Sequence, residues 1–261
     1  MKGIPLLLKL WLLFHRRKAR FTRKQLEELF ETISDSKFCI LPLNNFRKIK
    51  DTRVLIGLRI DVDTDPFKAL KLARMLWSYE TQGTFFFLST AWYAGRITKN
   101  GLKRNNLGWL YKAVHEFGHE IGIHNDLLTV VMKHRLDPMK FTYDELSYYA
   151  ILGFPIYGTS SHGSEIAKRT VPNYEIFSEY TKNRFVKYKK RVYEIGTYYL
   201  SDYTFKYETY HLSHNCYISD ANGKFRIDGK VVSFAQVICK LKTAQKGTRI
   251  QLLIHPEHWK I

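Results

Sequence analysis

The chain has 261 residues, 45% of them hydrophobic, enough to bury a substantial core in one large α/β domain or two small ones. Forty-two Lys and Arg against 24 Asp and Glu give a formal net charge of +18, which favours anionic partners: nucleic acid, anionic membrane or acidic glycan. The basic clusters at 16–24, 47–53 and 182–191 accompany no zinc-finger spacing and no RNP-like aromatic motif, so nucleic acid is set aside as a substrate.

Residues 1–21 form a segment apart. The run from Ile4 to Phe14 is apolar but about half the length of a spanning helix, and Lys9 interrupts it. The cations follow it, the wrong order for a secretory signal. Such a segment suits either peripheral contact with an anionic membrane surface or packing as a helix on the domain. The three cysteines, Cys39, Cys216 and Cys239, are too few and too dispersed for a disulfide framework or a zinc cluster. They fit a reducing compartment, and the expected location is cytoplasmic, at the inner face of the membrane if the first segment binds it.

From residue 22 the pattern is that of one α/β domain running to 261. Thr22 caps a helix with apolar positions at Leu26, Leu29, Phe30 and Ile33. Strands are predicted at Phe38–Leu41, Val54–Ile60, Gly83–Leu88, Glu120–Ile123 and Ile250–Ile254, with helices opened by Pro66 and spanning 107–117 between them. This alternation predicts a parallel sheet, open or closed, whose ligand site lies at the carboxyl ends of the strands. Beyond residue 140 the periodicity is weaker, and no linker or repeat marks a second domain.

Polar clusters do follow the strands. In Arg59-Ile60-Asp61-Val62-Asp63, the two carboxylates stand two residues apart and project to one side of the strand. Carboxylates so close repel unless a cation or a shared proton lies between them, although an acidic turn leading into the helix at Asp65-Pro66 explains the pair alone equally well. Gly118-His119-Glu120-Ile121-Gly122-Ile123-His124-Asn125-Asp126 delivers His124 and Asp126 to the same level, and Ser160-Ser161-His162-Gly163 and Ile254-His255-Pro256-Glu257-His258-Trp259 add His162 and His255. Imidazole and carboxylate together suit zinc, manganese or iron sites that keep a position open for water. His119, ahead of its strand, reads as a structural buttress.

Taken in order, these segments resemble the motifs of the polysaccharide deacetylase (NodB-type) superfamily over roughly residues 22 to 259. The likeness is greatest to its polysaccharide-biosynthesis branch, whose first motif usually reads Arg-His-Asp-Val-Asp. The resemblance implies a single distorted (β/α)-barrel, commonly seven-stranded. It also implies metal-dependent removal of an acetyl or similar acyl group from a sugar of a bacterial surface polysaccharide or its lipid-linked precursor. Carried over by position, Asp61 is the general base, His255 the general acid, and Asp63 and His124 are ligands of a divalent ion, zinc by preference.

Three departures stand out. The superfamily's second histidine ligand, four residues after the first, is here Leu128, which leaves Asp126 or His162 to complete the set, with His162 expected as the ligand and Asp126 as support. Ile60 replaces the branch's histidine. No arginine-bearing third motif is visible, and Arg59 is placed to orient Asp61 instead. Ser201-Asp202 and Ser219-Asp220 read as turns, and by resemblance as sugar-contacting loops, so Asp220 is a substrate-contact candidate; Trp259, Tyr198 and Tyr199 could stack on a sugar ring, although an aromatic core accounts better for most of them. Leu128 favours one alternative, a catalytically silent glycan-binding protein without metal.

Overall fold

The computed structural model describes residues 19–261. The apolar run of the first segment, with its proposed membrane contact, lies outside the described residues. Helix α1 (Arg23–Ile33) starts with a capping box in which Thr22 and Gln25 satisfy one another's free N–H groups, and it buries Leu26, Leu29, Phe30 and Ile33. Then come β1 (Phe38–Leu41), the one-turn α2 (Leu43–Phe46), β2 (Val54–Val62) and α3 (Pro66–Ser78), which Asp65 caps. Strand β3 (Thr84–Leu88) leads to a hairpin, β4 (Gly95–Thr98) and β5 (Gly101–Arg104), then to α4 (Gly108–Glu116) and β6 (Glu120–Asn125).

The second half holds α5 (Leu127–Thr129), α6 (Pro138–Leu152), β7 (Gly158–Ser161), α7 (Glu165–Arg169) and a second hairpin, β8 (Phe185–Tyr188) and β9 (Arg191–Glu194). It closes with β10 (Tyr207–Glu208), β11 (Cys216–Ser219), the short β12 (Arg226–Ile227) and β13 (Lys230–Val231), α8 (Phe234–Lys242) and β14 (Arg249–Ile254).

These elements build a mixed α/β structure around a mostly parallel sheet. Its ten strands run in the order β10-β7-β6-β3-β2-β14-β11-β12-β13, with β1 beside the first half of β2. Only the β11–β12 and β12–β13 pairs are antiparallel within it. Among the described residues no helix is long and apolar enough to cross a membrane.

The two-residue period of the strands sorts side chains to two faces. Along β2, Val54, Ile56, Leu58, Ile60 and Val62 join the large apolar cluster beneath the helices, whereas Leu55 joins a smaller one with Leu43, Phe46, Phe86, Tyr207 and Leu212 on the opposite face. That second face is apolar where the strands begin. Gly57 is needed there, since a Cβ would lie 2.7 Å from the Phe46 ring; at Gly122 it would lie 2.3 Å from Phe86. The same face turns polar toward the strand ends, because the next residues in step along β2 are Arg59, Asp61 and Asp63. The apolar base and the polar top are thus one face read in sequence order.

Groups from distant strands meet across this face. The Gln251 side chain of β14 donates to the Thr209 carbonyl just past β10 at 2.9 Å, and the Tyr207 hydroxyl of β10 donates to Glu120 of β6 at 3.0 Å.

Candidate metal centre

Register brings the strand ends to one level: Asp61 faces Phe86 across the β2–β3 pair, Leu88 faces His124, and His124 faces Ser160. His124 Nε2 lies 3.1 Å from Asp63 Oδ1 and 3.2 Å from His162 Nδ1, and that nitrogen lies 3.5 Å from the same Asp63 oxygen. Zinc bonds of about 2.0–2.2 Å set neighbouring ligand atoms about 3 to 3.5 Å apart, so the spacing fits a divalent ion. His124 is buried, whereas the Asp63 and His162 side chains are 21% and 20% exposed, so the cluster is open on one side.

Hydrogen placement strengthens the fit. His124 Nδ1 is 2.8 Å from the Ser160 carbonyl, which only accepts, so Nδ1 carries the proton and donates. In the neutral ring Nε2 then presents a lone pair to the Asp63 carboxylate and to His162 Nδ1. The Nε2 lone pair and the Asp63 carboxylate, both acceptors, then face one another, and a cation, a metal or a second proton on the ring, compensates them, while His162 Nδ1 faces the same point as donor or acceptor according to its tautomer. Burial disfavours ionised Asp63, but contact with His124 and His162 outweighs it and holds the carboxyl well below its ordinary range.

Asp61 stands apart from this group. Arg59, itself buried, grips it through Nε at 3.0 Å and Nη2 at 2.6 Å, the Ser160 hydroxyl donates to it at 3.1 Å, and His124 Nε2 is 3.7 Å away. Burial pushes the Asp61 pKa up and Arg59 pulls it down further, so the carboxylate is ionised. The Arg59 guanidinium also packs on Tyr210, 4.9 Å from the ring centre, which fixes its plane.

A second Asp/His group, Asp220, His255 and His258, has ligand atoms close enough for an ion. Its hydrogens, however, are already assigned. Asp220 accepts from the backbone N–H of His255 at 3.0 Å, from His255 Nδ1 at 2.6 Å and from Trp259 Nε1 at 2.8 Å. Burial opposes charge on His255, but the Asp220 carboxylate prevails and the imidazole is pushed up to about 10. Reciprocally, burial raises the Asp220 carboxyl and His255 lowers it by more. The pair is a buried imidazolium–carboxylate dyad, and the His255 charge acts on both Asp61 and Asp63.

Several expectations change. Of the two residues left open for the third ligand, Asp126 stays outside the cluster, its oxygens accepting from Thr90 at 2.9 Å, Thr129 at 2.8 Å and Asn173 at 3.1 Å. Leu128 is core, fully buried, and His162, just past the end of β7, completes with Asp63 and His124 a group that could hold an ion. Trp259 as a sugar-stacking surface is corrected, since it is fully buried and its indole N–H fixes Asp220. Asp220 likewise is buried behind His255 and serves that residue. Asp202 caps its own turn by accepting from the Tyr199 N–H at 2.7 Å. His119 braces β3, accepting from the Gly83 N–H at 3.2 Å, and burial lowers it to about 4.

The sequence reading missed three residues. Ser160 touches both Asp61 and His124; its place two residues before His162 in the quoted motif was the available signal. Asn173 donates to the His162 carbonyl at 2.7 Å and receives the Leu128 N–H at 3.0 Å, from an irregular turn with no periodicity to reveal it. Glu208 accepts from the Ser161 N–H at 3.1 Å and the Tyr210 N–H at 2.7 Å, and burial pushes it up to about 7.

No protein-family model matches the chain and no curated protein matches it, so the reading of the site rests on its geometry.

Proposed function

We propose that the protein is a metal-dependent hydrolase of the polysaccharide deacetylase type, removing an acetyl or similar acyl group from a sugar. The observation that carries this reading is the placement, at one end of one sheet, of three converging ligand atoms, an arginine-held carboxylate and a protonated imidazole. The polar contacts between β14, β10 and β6 across one sheet face support a sheet rolled into the distorted barrel of that family.

Asp63, His124 and His162 are the residues that would hold the ion. When bound, it supplies Lewis acidity, polarising an acyl oxygen and acidifying water. The chain's own residues do the rest. Asp61, kept ionised and aimed by Arg59 and Ser160, takes the proton of the attacking water. His255, kept protonated by Asp220, gives its proton to the departing sugar nitrogen or oxygen as the acyl carbon bond to it breaks. The products are the free amine or alcohol and a carboxylate, and the two residues then exchange protons with solvent to reset.

The substrate class is a glycan or a lipid-linked glycan of a surface polysaccharide, handled at the cytoplasmic side. The alternative of a silent glycan-binding protein rests on Leu128; the nearness of His162 to Asp63 and His124 favours the hydrolase.

Acetate release from acetylated oligosaccharides by the zinc-reconstituted chain tests the proposal. Asp61→Asn is expected to lower kcat by about 10²- to 10⁴-fold with zinc still bound. Unchanged turnover in that variant would remove Asp61 from the chemistry.

A further inference from the structure

The β8–β9 hairpin plays no part in the site, yet it projects a peculiar surface. Between residues 182 and 194 the chain carries six cations, Lys182, Arg184, Lys187, Lys189, Lys190 and Arg191, and one acid, Glu194. All six are exposed, and Glu194 is paired with Arg184 at 2.7 Å. The period of two divides the strands: Val186, Tyr188 and Tyr193 pack on the main core, while Phe185, Lys187 and Val192 face out.

Phe185 is 67% exposed and Val192 65%, so two large apolar side chains stand in water beside the cations. At the tip, Lys189 adopts φ 54, a backbone conformation that glycine or asparagine takes more easily, and the chain keeps a charge there instead.

The hairpin is held in place at a telling point. The Tyr193 hydroxyl donates to the Met132 carbonyl at 3.1 Å, in the turn Val130–His134 that follows the end of β6, the strand bearing His124. Exposed Lys133 and Arg135 flank that carbonyl and extend the basic surface. The bond ties the hairpin to the segment that leaves the carboxyl end of β6.

We infer that this hairpin is a docking element for an anionic phospholipid surface, with Phe185 and Val192 entering the acyl boundary and the cations meeting the headgroups. Charge complementarity argues for an anionic partner. The two exposed apolar side chains select lipid over a nucleic-acid backbone, which offers phosphates but no apolar layer. The inference is independent of the hydrolytic reading, since it concerns a surface that shares no residue with the cluster.

The test uses the full chain and vesicles of phosphatidylcholine with or without phosphatidylglycerol, read by co-sedimentation. Binding is expected only with the anionic lipid. Lys187→Gln/Lys189→Gln/Lys190→Gln should weaken it on the order of a hundredfold, at about fivefold per cation. Phe185→Ser/Val192→Ser should weaken it about tenfold or more. All five positions are exposed, and unchanged thermal unfolding checks that the variants fold. Hydrogen exchange should show protection on vesicles across residues 182–194. Variants that bind vesicles like the parent, protection confined to residues 1–18, or tighter binding to duplex DNA that ignores Phe185→Ser/Val192→Ser would each overturn the inference.

Discussion

Asp63, His124 and His162 form one group, and Asp220, His255 and His258 another, from the same residue types at the same end of the sheet, yet the two dispose of hydrogen in opposite ways. In the first, the Ser160 carbonyl fixes a His124 proton on Nδ1, so the Nε2 lone pair of the neutral ring faces the Asp63 carboxylate and calls for a cation. In the second, three N–H donors converge on the Asp220 carboxylate and leave a held imidazolium. Composition alone does not tell a ligand set from a proton donor. The bonds that each carboxylate already accepts do: Asp220 takes backbone, imidazole and indole N–H groups, whereas Asp63 is met by imidazole nitrogens.

That contrast is sharpest at His255. If it is the proton donor, His255→Gln should lower kcat by about 10²- to 10⁴-fold while bound zinc stays at the parental stoichiometry. Loss of zinc in this variant would merge the two groups into one and break the comparison.

Asp220→Asn probes the same dyad through pH. Without the carboxylate, His255 falls back toward about 6.5, and the alkaline limb of kcat/KM should move from about 10 to near that value. The stability consequence has a definite sign. A histidine whose folded pKa is raised stabilises the fold fully below its unfolded value, and that stability disappears as pH rises through about 10. Denaturant midpoints measured between pH 6 and 11, as a rough window spanning these values, should fall for the parent and be flatter for Asp220→Asn.

The smallest expected effect concerns Glu257, whose two carboxylate oxygens are buried with no hydrogen-bond partner. Burial first, then the Asp63 charge, pushes its carboxyl up to about 8. An acid raised in the fold destabilises as pH climbs from its unfolded value near 4.5 through about 8. Glu257→Gln removes the charge while keeping the shape, and should stabilise the protein by about 1–3 kcal/mol above that range, with little gain at acid pH. Denaturant unfolding at both ends of the window reads the difference.

Much of this arrangement was legible in the sequence. The apolar alternation of β2 and the two-residue spacing of Asp61 and Asp63 fixed one polar face, and strand-end logic put His124, His162 and His255 beside it. The third ligand was left between Asp126 and His162 with His162 preferred, because both follow strands and the contacts from Thr90, Thr129 and Asn173 that tie Asp126 away are not visible in the sequence. Trp259 was left open between sugar stacking and the core because an aromatic next to a polar motif looks the same in sequence whether it faces a sugar or braces a carboxylate. Beyond residue 140 the strands are short, and β10 has two residues, too few for any period to show. The β4–β5 hairpin went unread despite the Asn100-Gly101 turn that marks it, where Gly101 takes φ +114.

Zinc titration by calorimetry of the parent, His162→Ala and Asp126→Asn tests the central claim most directly. One ion per chain should bind the parent and Asp126→Asn, with binding abolished in His162→Ala. A parent that binds none, or a His162→Ala variant that binds as tightly as the parent, would contradict the assignment of Asp63, His124 and His162 as the metal centre.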